Sequence, residues 1–298
     1  MGTLLSATLI CDRPEQCDVG FTAISDVLSD IDSRMSVYHT SELTRLNAAA
    51  GTASLLQPLS TSTLEVLRTA LVIAAQSQGR FDPTILPLIK AYGLMRENFG
   101  GESDTAQAKL VEAGSLVDYR QVLISGTRAG LKKKGMALDF GGIAKGYALD
   151  QAAVVLRKLG IWAYVLNFGG HLLVHGTEHT TTVYDPQEAN RVLVSCTISE
   201  GSISVSAQDK RYVHERGKRR GHLINPLTKE SESDTVLSLV YHPSAMHADG
   251  WSTALFFTGT TEFNALAKKQ QLTALHLSSR GELSHSEQMQ GLKLCTPL

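Results

Sequence analysis

Cysteine is scarce in this chain, and long hydrophobic runs are missing. Cys11, Cys17, Cys196 and Cys295 are the only four among 298 residues. They are too few and too scattered to frame a disulfide-stapled fold, and no two share the CxxC spacing of a metal pair. Cys11 and Cys17 stand close enough to pair in an oxidising compartment, or to remain as two thiols. No apolar run reaches the roughly 18 residues that a membrane span needs. The opening residues, Met1-Gly2-Thr3-Leu4-Leu5, lack the charged region and cleavage site of a signal peptide. An excess of one charge is also absent: the formal net charge is -1. No overall positive field therefore draws the chain to nucleic acid or an anionic membrane, and recognition rests on local sites. Internal repeats, low-complexity tracts and evident linkers are lacking too.

What is present suits a globular protein with a sizeable core, since 43% of residues are hydrophobic and 19% charged. Phe21, Ile24, Val27, Leu28 and Ile31 recur at helical spacing and predict an amphipathic helix over 21–32. A second helix is expected over 62–77, with Leu64, Leu67, Leu71 and Ala74 on one face and Gly79 suited to its C-terminal cap. From Met136 the pattern reads as a short strand, a glycine-rich turn and a helix whose stripe is Ala148, Ala152, Val155, Leu156 and Leu159, ended by Gly160. A strand over 161–166 follows. Segments 191–205, 235–241 and 272–277 read as strands, 248–257 as a short helix, and the basic stretch 210–220 as a loop. Strands and helices mix without regular alternation, so the expected class is α+β. Length allows one domain over 1–298, with two lobes as the possible internal division.

Four groups of residues carry potential chemistry. In Asp139-Phe140-Gly141-Gly142-Ile143-Ala144-Lys145-Gly146, glycines allow close backbone approach, and helix N–H groups favour a phosphate. The spacing fits neither the dinucleotide fingerprint nor the Walker A loop. By itself it is equally a structural turn. Asp249 and Thr253 are four apart, on one helix face, and offer hard oxygen ligands for Mg²⁺, or else a helix-terminus residue and a bystander. His222, in His222-Leu223-Ile224-Asn225-Pro226, is either a base near neutral pH or a structural histidine. His171, His175 and His179 recur every four residues, which would align three imidazoles for a transition metal on a helix or a strand face. The glycines around them argue for a strand followed by a loop.

Together these segments resemble the ApbE family of FAD:protein FMN transferases. The block Asp139 to Asp150, DFGGIAKGYALD, is very similar to the family's D-[LF]-G-G-I-A-K-G-Y-A-x-D. In the family's order stand Met1-Gly2-Thr3, Met35-Ser36-Val37-Tyr38 with Glu42 to Asn47, and Phe81-Asp82-Pro83-Thr84 with Pro87-Leu88. Asn167 to Gly170, His222 to Pro226, and Ala248-Asp249 with Ser252-Thr253-Ala254 complete the series. The resemblance covers the chain from Met1 to about Gly259.

It implies an ApbE-like α+β fold of mixed sheets with interspersed helices, its two lobes around an FAD site. FAD contacts are implied at Met1, Tyr38, Arg80, Phe81, Asp82, Asp139, Lys145 and Leu223. A Mg²⁺ would be held by the Gly142 carbonyl, Asp249 and Thr253, with His222 and Asp249 as the catalytic pair. The implied reaction moves FMN from FAD to a Thr or Ser of an acceptor flavoprotein and releases AMP. Hydrolysis of FAD to FMN and AMP, or FAD binding without catalysis, are the alternatives. Family members are exported to the periplasm or cell envelope, so a trimmed exported protein is expected, with a cytoplasmic one as the alternative. At three places the chain departs from the pattern: His171 and Asn225 stand where the family has Asp, and Val205-Ser206-Ala207 where it has T-S-G.

Overall fold

The computed structural model describes residues 4–103, 105–188, 190–208, 212–215, 218–231, 234–291 and 295–296. Met1, an expected FAD contact, lies outside the described residues. The class is α+β, and the chain divides into two compact units. The first comprises residues 1–30, 143–207 and 234–298, and the second residues 31–142 and 208–233.

The first unit is built on one large sheet. Its strands run in the order Leu5–Ile10, Ala163–Phe168, His171–Tyr184, Val192–Ala207, Thr235–His242, Thr273–Ser278 and Leu283–His285, with Cys295–Thr296 beside Val192–Ala207. Every pairing is antiparallel. Side chains alternate across a strand, so residues two apart share a face. One face holds a cluster that includes Ile203, Leu237, Leu239, Leu275 and Leu277. The residues between them, Ser202, Ser204, Ser206 and Ser238, are buried hydroxyls.

Helix Ala245–Phe256 packs on the strands 192–207 and 235–242 and on helix Ala144–Lys158. Its residues are buried nearly all round, as expected for a helix enclosed on several sides. Glycine lets the two helices approach: a Cβ on Gly146 would meet the Ala245 carbonyl oxygen at 2.1 Å. In helix 144–158 the expected stripe is buried at Ala148, Ala152 and Leu156, while Val155 is half-buried. Leu159 is exposed because it falls at the C-cap, after the last helical turn. Gly160, at φ +74°, ends the helix as expected. The short strand expected from Met136 does not form: Ala137 makes only an isolated bridge to Ile85.

The second unit is mainly helical. Helix Thr61–Gln76 buries Leu64, Leu67 and Ala74 and ends at Ser77, with Gly79 at φ +82° donating to the Ala74 carbonyl. The basic stretch expected as a loop instead contains paired strands, Tyr212–Glu215 and Lys218–Gly221, which join Glu102–Ser103 in a small sheet. Its charges hid the alternation that would have marked a hairpin. The predicted helix over 21–32, most of which belongs to the first unit, is part of a longer one, Pro14–Met35, which buries Ile24 and Ile31 but leaves Phe21 45% exposed.

Cysteine chemistry also differs from the expectation of scattered thiols. Cys11 and Cys17 form a disulfide, Cys196 is also disulfide-bonded, and no described cysteine is free. No described helix is long and apolar enough to cross a membrane.

Candidate functional site

Asp249 is fully buried, and its surroundings explain how a carboxylate is tolerated there. A buried charge needs compensating partners. Oδ2 accepts from the Gly146 N–H at 3.0 Å. That N–H lies in the first turn of helix 144–158, where backbone donors have no partner within the helix and the dipole favours an anion. Lys145 Nζ lies 3.5 Å from Oδ1, and His171 Nε2 lies 3.6 Å from the same oxygen. The glycine-rich turn and the Asp249 segment, which the sequence offered separately, therefore converge.

Asp150 fixes the two helices in register. Its carboxylate accepts from Ser244 Oγ at 2.7 Å, Ala245 N at 2.8 Å and Met246 N at 3.0 Å. It thus caps the helix that carries Asp249 from the helix that carries Lys145 and Gly146. Gly146 and Asp150, one turn apart on the latter helix, are both needed at this contact. That role was missed in the sequence, because the cap and the helix it serves are 94 residues apart.

Thr253 lies one turn beyond Asp249, half-buried, and its hydroxyl donates to the Asp249 carbonyl at 3.2 Å. The Thr253 proton is committed to that bond, and its oxygen keeps accepting capacity. A buried carboxylate and a threonine oxygen form a hard donor set, already adapted to positive charge by the neighbouring lysine. These residues fit a Mg²⁺ ion. Gly142, the third expected ligand, immediately precedes Ile143, the N-cap residue of helix 144–158.

Beneath helix 245–256 lies a row of hydroxyls. Ser252 Oγ donates to the Asp249 carbonyl at 2.9 Å and lies 2.9 Å from both Ser204 Oγ and Ser206 Oγ. Ser204 is directly opposite His171 in the sheet and lies 2.5 Å from its Nδ1. His175 points elsewhere, pairing with Glu200 at 2.5 Å and stacking on Tyr164. A register shift separates it from His179. The three histidines do not converge, and among the described residues no group of three or more His, Cys, Asp or Glu could hold a metal.

In the second unit, Asp139 receives the Gly141 N–H on Oδ2 at 3.0 Å and donates its own N–H to the Pro83 carbonyl at 2.8 Å. Tyr38 is 43% exposed, and the Arg96 guanidinium lies 4.8 Å from the centre of its ring. Burial raises the Tyr38 phenol pKa, and the charge of Asp139 adds to the effect. Asp82 is buried and directed inward: Thr84 N and Thr84 Oγ1 donate to Oδ1 at 2.8 and 2.6 Å, and Tyr119 N to Oδ2 at 3.0 Å. Phe81 is buried, and Arg80 is half-buried with Nη1 donating to the Ser77 carbonyl. Leu223 is half-buried, its carbonyl accepting from Gln208 Nε2 at 3.0 Å. The half-buried His222 ring meets Phe99 edge-on at 6.5 Å.

One of the three departures keeps the atom that the local structure uses, and Ser206 is the unchanged member of another. Asn225 Oδ1 accepts from Leu227 N at 2.9 Å, a turn-forming bond that an aspartate oxygen would make equally well. Ser206 keeps its hydroxyl within the row beneath Asp249. His171 is the departure that changes chemistry, since an imidazole stands beside the Asp249 carboxylate.

Comparison with known proteins bears on family and fold. The ApbE family model matches residues 1–276. A FAD:protein FMN transferase of Salmonella typhimurium is 27% identical over 293 residues, covering 95% of this chain and 83% of that protein. Another, from Klebsiella pneumoniae, is 26% identical with the same coverage. Among solved structures, the flavin transferase ApbE from Vibrio cholerae superposes with a TM-score of 0.86 at 24% identity, covering 98% of this chain and 96% of that one. The ApbE protein of Thermotoga maritima gives 0.88 at 22% identity with the same coverage. With the family model spanning nearly the whole chain and the fold shared over its length, the protein belongs to the ApbE family.

Proposed function

We propose that this protein transfers FMN from FAD to a Thr or Ser hydroxyl of an acceptor flavoprotein. The hydroxyl oxygen attacks the FMN-side phosphorus, a phosphoester bond forms, the diphosphate P–O bond breaks, and AMP leaves. The observation that carries this reading is the buried Asp249 carboxylate, set against Lys145 and the first turn of helix 144–158 within the segment most similar to the family. Mg²⁺ bound by Asp249, Thr253 and the Gly142 carbonyl would supply Lewis-acid stabilisation of charge on the departing phosphate.

The chain's own residues divide the remaining work. Lys145 and the helix N–H groups favour the anionic diphosphate electrostatically. His222 takes the proton of the acceptor hydroxyl, a task suited to an imidazole near neutral pH. Tyr38, Arg80, Phe81, Asp82, Asp139, Leu223 and Met1 serve FAD binding, Asp82 by shaping the loop through its internal bonds. The whole chain acts as one two-lobed catalytic domain.

The direct test combines the protein, FAD, Mg²⁺ and an acceptor flavoprotein from its own genome. The expected result is an acceptor mass increase equal to FMN, with AMP released in equal amount. FMN release without acceptor modification would instead establish hydrolysis, and intact FAD after long incubation would establish binding alone.

We further place the protein in the periplasm or cell envelope. The Cys11–Cys17 disulfide supports this, since such bonds persist in oxidising compartments. Fractionation of the native host, with detection of the full-length protein, tests it; recovery in the cytoplasm overturns it.

A further inference from the structure

The hydroxyl row beneath Asp249 sets how the His171 ring is held. Ser252 has one hydroxyl proton, and it goes to the Asp249 carbonyl at 2.9 Å. Its contacts with Ser204 and Ser206, both at 2.9 Å, therefore require those two hydroxyls to donate. With its proton so used, Ser204 Oγ can only accept from His171 Nδ1, 2.5 Å away. Nδ1 is thus the nitrogen held by Ser204, and the ring turns Nε2 toward the Asp249 carboxylate. That nitrogen is 3.6 Å from Asp249 Oδ1.

Metal-binding histidines are commonly held in this way, one ring N–H donated to a fixed partner and the other nitrogen presented to the ion. Distance also fits, because an ion about 2.1 Å from both a nitrogen and an oxygen spans roughly 3.0–3.6 Å between them. The imidazole is 4% exposed, and its strand lies opposite Ser204 in the sheet, so its position is set by the fold.

We propose that His171 is a nitrogen ligand of the divalent-ion site, joining Asp249 and Thr253 in a mixed donor set that holds Mn²⁺ more tightly than Mg²⁺. The inference rests on the reading of Asp249 and Thr253 as metal ligands. It assigns a chemical consequence to the replacement of a family carboxylate by imidazole, since nitrogen donors favour transition ions over Mg²⁺.

The test uses the full chain titrated with Mn²⁺, with bound ion measured by loss of the free-ion electron paramagnetic resonance signal. Electron spin echo modulation of the bound Mn²⁺ then reports coordinated nitrogen. Expected are modulation from nitrogen that changes on labelling the protein with ¹⁵N-histidine, its loss in His171→Asp and in the near-isosteric His171→Asn, and a fall of about tenfold in Mn²⁺ preference over Mg²⁺. Circular dichroism checks that both variants fold. Mn²⁺ bound in an Asp249-dependent way without histidine modulation, or with modulation that survives both His171 variants, overturns the role of His171 and leaves the metal site standing. Failure to bind Mn²⁺, or binding unaffected by Asp249→Ala, overturns both.

Discussion

Asp82 and Asp249 are both buried aspartates, one in each unit, yet they are held in opposite ways. Asp82 is satisfied by neutral donors from Thr84 and Tyr119, all at 2.6–3.0 Å. Burial is the largest influence on it and pushes its pKa up, with the hydrogen bonds opposing. Asp249 has one backbone donor, while its other oxygen faces a lysine and an imidazole at 3.5 and 3.6 Å. The first carboxylate ties a loop together with short, directed bonds. The second is met at longer range by a lysine ammonium and an imidazole, with only one short, directed bond.

Exchange of the two residues' fates is the sharpest test. Asp249→Ala is expected to lower Mg²⁺-dependent FMN transfer by about a hundredfold or more while the chain remains folded, measured by acceptor mass and thermal melting. Unimpaired transfer would remove Asp249 from the metal site. Asp82→Ala should act mainly on stability, costing about 2–4 kcal/mol by orphaning buried donors, with any effect on the folded enzyme appearing as a raised KM for FAD rather than a lost kcat. The wild-type pH dependence has a definite sign. A carboxyl whose pKa is raised by folding contributes stability fully below the unfolded pKa, and that contribution is lost as pH rises through the folded value. Melting temperature should therefore show an acid-side fall with rising pH that Asp82→Ala lacks.

A smaller perturbation leaves both carboxylates in place. Gly146→Ala puts a methyl group 2.1 Å from the Ala245 oxygen, so the two helices must separate. An overpacking cost of about 1–3 kcal/mol is expected, with a fall in transfer rate larger than the loss of folded protein explains. Asn225→Asp should change least, within about 0.5 kcal/mol and twofold in rate, because the oxygen that accepts the Leu227 N–H is retained. A large gain in rate would show that the missing carboxylate has a chemical role beyond the turn.

Much of this was legible in the primary structure. Periodicity placed the helices that end near Gly79 and Gly160 and the strand Val192–Ala207, because their apolar residues follow simple repeats. His171–Tyr184, in contrast, is strand throughout where a strand followed by a loop was expected, with Gly176 accommodated within the sheet. Helix 245–256 was recognised but begun three residues late, since its start is set by Ser244 and Asp150 rather than by hydrophobic pattern. The residues Lys145, Asp249 and Thr253 were singled out, yet spacing alone could not bring the first to the other two. His171 was read with His175 and His179 as one series. Only the sheet register shows that it belongs with Ser204 and Asp249. The row Ser204, Ser206 and Ser252 carries no local signal, because its meaning comes from two strands and a helix meeting.

The clamp made by Asp150 has a kinetic consequence. The helix that bears Asp249 has its first backbone donors satisfied by a residue 94–96 positions earlier in the chain. Closure over such a sequence distance delays a contact relative to local helix formation. The geometry around Asp249 therefore belongs to the late, cooperative steps of assembly, and a chain can acquire most of its secondary structure before that carboxylate meets Lys145 and Gly146.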